Sequence, residues 1–159
     1  MGSLVAEIAE RVASSSAGAR SELEIRGGAA SPGTLLLSTA ETSVVDGNKL
    51  GQIDFQAPVD AAGTDAILVG ASIHAEADAT FSSSVNSTDL VFSTGDSAAA
   101  SEKMRIDSTG IITVGVNDTG YDVKFFGATS GAYLEWDESA DELEPVSYTH
   151  LTLPTILRV

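Results

Sequence analysis

Residues 101–116 read SEKMRIDSTGIITVGV, and this stretch decides the fold. Apolar residues alternate with polar or small ones on both sides of a central DSTG, residues 107–110. Aspartate at the start of such a turn accepts hydrogen bonds from backbone amides, and glycine at its end tolerates a positive φ. The pattern therefore predicts a β-hairpin with its turn at residues 107–110.

The same alternation recurs upstream, between turn residues. The longest run, residues 66–78, places small and apolar residues on one face and Ser72, His74, Glu76 and Asp78 on the other. This run predicts a central antiparallel strand whose polar face is solvated. Shorter strands are predicted at 23–26, 34–38, 50–57 and 90–92. Regular strands separated by turns predict an all-β fold, either an antiparallel β-sandwich or a meander.

The pattern divides the chain into four segments. Residues 1–20 carry apolar residues at helical spacing and predict a short amphipathic helix, with a linker as the alternative. Residues 21–116 form the predicted β domain. Residues 117–145 begin a second β unit that we expect to be truncated, with strands near 121–126 and 133–136 and another starting at Leu143.

The last segment, residues 146–159, reads VSYTHLTLPTILRV. Its first ten residues resemble the translation of a transposase-based sequencing adapter. We therefore expect a tail that is not native, in a reading frame whose natural sequence continued past about Glu144. On pattern alone, a genuine apolar C-terminal strand is the alternative.

Composition narrows the classes of function. The formal net charge is −15, from 23 acidic and 8 basic residues, which disfavours binding to nucleic acids and to anionic membranes. The chain has no cysteine, which excludes disulfides, thiolate metal sites and cysteine nucleophiles. No apolar run approaches the ~20 residues that span a bilayer. Because the strands are rich in small residues, each buries a modest area, and we expect stability to depend on association between copies.

Two groups of residues invite a chemical interpretation, and the sequence predicts no catalytic, cofactor or metal site in either of them. Ser72, His74 and Glu76 have the residue types of a hydrolytic triad, but neighbours on one face of a strand start about 6.5–7 Å apart and lack the aligned hydrogen bonds of a triad. No glycine-rich phosphate loop is present. Residues 46–57 resemble a calcium loop without its closing glutamate, because Ala57 stands there.

Acidic turns and aromatic residues leave two further interpretations open. Two sets could hold a cation, although solvated acidic turns are commoner: Asn117, Asp118 and Asp122; and Asp137, Glu138 and Asp141. Phe126, Tyr133 and Trp136 could form a sugar-stacking patch, although packing in a core or a subunit interface is commoner.

Residues 36–115 resemble one repeat of tailed-phage virion proteins, especially tail fibres of marine phages. The resemblance lies in the segments LGQIDFQAP, GTDAILVGASIHAEAD and SEKMRIDSTG. DVKFFGATSGAYLEWDES, residues 122–139, resembles the start of another repeat. The resemblance implies a non-enzymatic structural component of the virion, a tail-fibre or appendage shaft that supports host attachment and is made in the bacterial cytoplasm. It also implies a homotrimer that contacts other virion tail proteins, with host surface glycans bound by a distal region. A carbohydrate-binding β module and a capsid or neck decoration protein are the alternatives.

Overall fold

The structure is a computed structural model and describes residues 25–146 of the 159-residue chain. The predicted helix over residues 1–20 and residues 147–159 of the predicted tail lie outside the described residues. The chain divides into two compact units, Met1–Leu37 and Ser38–Val159. In the first unit, residues 25–37 form no strand, so the strand predicted over 34–38 is wrong. Leu36 has 80% of its surface exposed, because no neighbouring strand pairs with this apolar run.

Eight strands and one 3-10 helix, Thr64–Ile67, make up the regular structure of residues 38–146. The strands are β1 Lys49–Gln56, β2 Val69–Ala77, β3 Thr88–Thr94, β4 Ser101–Ile106, β5 Ile112–Val114, β6 Val123–Phe126, β7 Tyr133–Asp137 and β8 Glu142–Val146. They form two antiparallel sheets, ordered β1-β2-β3-β4-β5 and β6-β7-β8. The predicted all-β class is confirmed, and each sheet is a meander because its strands follow chain order. No helix within the described residues has the length and apolar character needed to cross a bilayer.

The β4–β5 hairpin turns as the sequence predicts. The carboxylate of Asp107 accepts hydrogen bonds from the backbone amides of Thr109, at 2.8 Å, and Ile111, at 2.9 Å. The amide of Gly110 donates to the carbonyl of Asp107 at 2.9 Å, and Gly110 has φ 91°. The hydrogen bond from the Thr109 hydroxyl holds the pKa of Asp107 below its usual value, with the backbone amides adding to the effect. The turn is therefore fixed by local chemistry.

The five-stranded sheet has two chemically different faces, set by continuous register across its strands. Its central row joins Ile53, Ile73, Phe92, Met104 and Val114 as successive cross-strand neighbours. Because side chains alternate along each strand, the register sorts the sheet into two sets. We call one set the apolar face, which comprises Gly51, Ile53, Phe55, Ala71, Ile73, Ala75, Leu90, Phe92, Met104, Ile106, Ile112 and Val114. The other set is the polar face, which comprises Gln52, Asp54, Ser72, His74, Glu76, Asp89, Val91, Ser93, Glu102, Arg105 and Thr113.

Burial in this sheet departs from the prediction at Ser72 and His74, whereas Asp78 is exposed as predicted. The alternation in β2 is confirmed, but its polar face is not solvated, since Ser72 and His74 are buried. Only two apolar residues among those described are buried, Ala77 and Val91. The alternation identifies which residues share a face, and it carries no information about which face is covered.

The three-stranded sheet contains the second β unit. Its strands match the segments expected near residues 121–126 and 133–136 and after Leu143. The last strand, β8, extends to Val146, which pairs with Tyr133 and lies one residue past the predicted domain limit at 145. One buried carboxylate in this sheet, that of Glu135, pairs with Lys124 at 2.8 Å.

Candidate functional site

Arg105 lies at the centre of a charged cluster on the polar face. Its guanidinium binds Glu102 through two hydrogen bonds of 2.8 Å and reaches Glu76 at 3.3 Å. A third carboxylate, that of Asp89, also accepts a hydrogen bond from Arg105. The cluster joins β4 to β3 and β2, so one side chain links three strands of the sheet.

Burial makes the pairing of Arg105 with Asp89 the most consequential contact in the cluster. Asp89 has only 2% of its surface exposed, and its second oxygen accepts a hydrogen bond from the amide of Ser108 at 3.0 Å. A charge removed from water to this extent is costly unless it is paired and hydrogen bonded. The hydrogen bonds with Glu102 and Asp89 raise the pKa of Arg105, and the Arg105 hydrogen bond lowers the pKa of Glu102. The charged forms of Arg105 and Glu102 therefore stabilise each other.

The triad-like residues of β2 do not form a triad. His74 Nε2 lies 3.6 Å from Glu76 Oε2, while His74 Nδ1 is buried and has no hydrogen-bond partner among the described residues. Within residues 25–146, no hydrogen bond joins Ser72 to His74. Glu76 is shared with Arg105 and so belongs to the charged cluster. The hydrogen-bonded nucleophile–base contact of a triad is therefore absent among Ser72, His74 and Glu76.

The apolar face of the five-stranded sheet is largely uncovered. In its outer strands, the exposed fraction of the surface is 43% for Ile53, 64% for Ile112 and 38% for Val114. Phe55 and, in the middle strand, Leu90 are also exposed. The remaining large residues of the face, Ile73, Phe92, Met104 and Ile106, are half-buried. An exposed apolar surface of this extent marks an interaction site.

The aromatic residues grouped by the sequence do not form one patch. Phe126 and Tyr133 lie on one face of the three-stranded sheet with ring centroids 5.4 Å apart. Trp136 lies on the opposite face, because it is an odd number of residues from Tyr133 and pairs with Val123 and Leu143. A three-ring sugar-stacking patch is therefore wrong.

Trp136 instead borders a polar cleft of about 510 Å³. The cleft is also lined by Asn117, Asp118, Glu138 and Asp141, and Trp136 keeps 39% of its surface exposed. An exposed indole beside carboxylates and an amide can stack on an apolar ring face and accept hydrogen bonds from hydroxyls. The sequence missed this grouping because it assigned Trp136 to the wrong face.

The acidic turns mostly bind their own backbone. One oxygen of Asp137 accepts hydrogen bonds from the Ser139 amide and hydroxyl and from the Ala140 amide, which lowers the pKa of Asp137. The carboxylate of Asp122 accepts from the Glu138 amide at 3.1 Å. Among the described residues, no three or more histidine, cysteine, aspartate or glutamate side chains are grouped so that they could hold a metal ion.

Neither a scan against protein-family models nor a search of curated proteins finds a match to the chain.

Proposed function

We propose that this chain is a non-enzymatic structural component of a tailed-phage virion, part of a tail-fibre or appendage shaft. The observation that carries the proposal is the uncovered apolar face of the five-stranded sheet. A sheet with two buried apolar side chains and one exposed apolar face fits a subunit of a larger assembly better than an independent globular domain. The sequence resemblance to fibre repeats supplies the phage context.

The shaft would be a homotrimer that acts mechanically. Each copy contributes a sheet whose strands are tied together by the Arg105 cluster, so the shaft can carry load between the virion and a distal host-binding region. The formal charge of −15 keeps the exterior soluble and repels unspecific contacts with nucleic acids and anionic membranes. Glu76, one of the residues with triad-like spacing, binds Arg105 instead.

Stoichiometry and shape test the proposal. The full chain is purified and analysed by sedimentation equilibrium and negative-stain microscopy. A mass of three copies and an elongated particle support the shaft. A trimer shaped as a compact knob favours a capsid or neck decoration protein, and a monomer or dimer contradicts the trimeric shaft.

A carbohydrate-binding module is the second candidate, and the Trp136 cleft favours it. The test is a glycan array probed with the full chain and with Trp136→Ala. Phe126→Ala is the matched control, since it removes an exposed ring from the opposite face of the same sheet. Binding that is lost with Trp136→Ala and kept with Phe126→Ala supports a sugar site in the cleft. Absence of binding, or equal loss in both variants, contradicts it.

A further inference from the structure

We infer that the apolar face of the five-stranded sheet is the surface through which copies of this chain contact one another. The inference deepens the proposed function and rests on it, because it names the surface through which the copies of the proposed homotrimer would meet. It follows from the absence of charge on the apolar face, from the exposed area of that face, and from the burial and ion pairing of residues on the polar face.

None of the residues that define the apolar face is charged, although the chain as a whole is strongly acidic. The register assigns Asp54, Glu76 and Arg105 to the polar face, while Lys103, at the register shift in β4, binds Ser101 and Tyr121. Two copies with net charge −15 repel each other, and burying charged groups between them would add to this cost. The face that lacks charge is therefore the one suited to self-association, whereas a partner bound through ion pairs would have nothing to pair with.

The exposed area is close to what a specific interface needs. Fractional exposures of 38–64% on five large residues, with smaller contributions from four half-buried ones, leave roughly 600 Å² of apolar surface uncovered. A standard interface buries about 800 Å² on each partner. Sheets also pack face to face with interdigitated side chains, and a second copy supplies such a sheet.

The polar face is a poor alternative for the contact. Its short side chains are already buried, and its carboxylates are occupied by Arg105 and by the Ser108 amide. Covering it would remove Arg105 and its partners further from water without adding new hydrogen bonds. Contact with a second copy would therefore bury apolar area on the apolar face, whereas on the polar face it would mainly remove charges from water.

Matched lysine substitutions test the inference in the full chain. Ile53→Lys and Val114→Lys place a charge at the two ends of the central row of the apolar face. Gln52→Lys and Thr113→Lys add the same residue one position away, at two exposed positions of the polar face. We expect each apolar-face variant to raise the dissociation constant of the assembly by at least about 100-fold, and each control to change it by less than about 5-fold. Sedimentation velocity over a dilution series measures both, and circular dichroism checks that each variant keeps its β structure.

The absence of cysteine in the chain allows a milder second measurement. Ile53→Cys and Val114→Cys introduce small side chains that the sheet tolerates, with Gln52→Cys and Thr113→Cys as controls. In the associated state, maleimide should label positions 53 and 114 at least about tenfold more slowly than 52 and 113. The two slow positions should reach the rate of the controls on dilution below the dissociation constant.

The outcomes separate this inference from the proposed function. A trimer that is unaffected by the apolar-face lysines and labels equally at all four cysteines overturns the inference and leaves the trimeric shaft standing. A dimer that the apolar-face lysines dissociate supports the inference and contradicts the trimeric shaft. A wild-type chain that stays monomeric up to about 100 μM, a concentration above typical interface dissociation constants, overturns both.

Discussion

Replacing Arg105 tests whether the charged cluster holds the five-stranded sheet together. Arg105→Met keeps most of the length and the apolar stem of the side chain while removing the guanidinium. Asp89 would then remain 2% exposed with the Ser108 amide as its only partner, and Glu76 and Glu102 would lose their cation. Removing one partner of a buried ion pair typically costs 3–5 kcal/mol.

The expected loss is somewhat smaller than this range, because Arg105 itself is 28% exposed and water can reach part of the vacated space. We expect Arg105→Met to lower the free energy of unfolding by about 3 kcal/mol. Arg105→Lys keeps the charge but cannot span the carboxylates with one ammonium group, so it should lose about half as much. Arg105→Met combined with Asp89→Asn should show a coupling energy of at least about 1.5 kcal/mol, because the two groups act on each other.

Urea unfolding followed by circular dichroism measures these changes. All samples must share one protein concentration, because the stability of an associating chain depends on it. Lys49→Met is the matched control: it removes a cation from the same sheet, and its hydrogen bond to Gln52 is exposed. The control should lose less than about 0.5 kcal/mol. The reasoning is refuted if Arg105→Met loses less than about 1 kcal/mol or no more than Lys49→Met.

Three further predictions address pH, turn geometry and charge repulsion. Arg105 lowers the pKa of Glu102 from 4.5, so this carboxylate stabilises the fold above about pH 4.5 and ceases to do so as pH falls through its lowered pKa. Unfolding curves of Glu102→Gln between about pH 5 and 3 should therefore depend less on acid than those of the parent chain. Gly110→Ala should lower the free energy of unfolding by about 1 kcal/mol, because φ 91° strains any side chain although the space around Gly110 is open. Gly28→Ala is the control: Gly28 has open space and no positive φ, so this variant should be near neutral in thermal unfolding. The hydrogen bond with Glu142 raises the pKa of Glu144, so acidification toward that pKa should relieve repulsion between the two carboxylates. Glu142→Gln should therefore raise the thermal midpoint of the chain at pH 7 and remove this part of the pH dependence of the midpoint. An unchanged midpoint would contradict the repulsion.

Local chemistry made the turns and most of the strands predictable. Residues 107–110 specify their own turn, because Asp107 and Gly110 supply the side-chain acceptor and the positive φ within four residues. The run at 34–38 has similar strand-forming residues and forms no strand, because a strand also needs a partner to satisfy its backbone. Composition alone does not reveal that partner.

The candidate surfaces required information that crosses strands. Alternation in β2 separates Ile73 from His74, but the burial of His74 depends on neighbouring strands and on the long side chains they supply. The Arg105 cluster combines residues up to 29 positions apart, and they meet only when the register of β2, β3 and β4 is known. The position of Trp136 was different: the odd spacing from Tyr133 already places the two rings on opposite faces of a strand.

The two faces of the five-stranded sheet contribute to stability in different ways. A single-layer sheet normally gains its stability by packing one apolar face against a second layer. Here side-chain bonds from Arg105 to β2 and β3 hold the strands laterally, on a face where Ser72 and Ser93 are buried. Ala77 and Val91 are the only buried apolar residues among those described, so in the proposed assembly most of the hydrophobic free energy would be gained when copies associate.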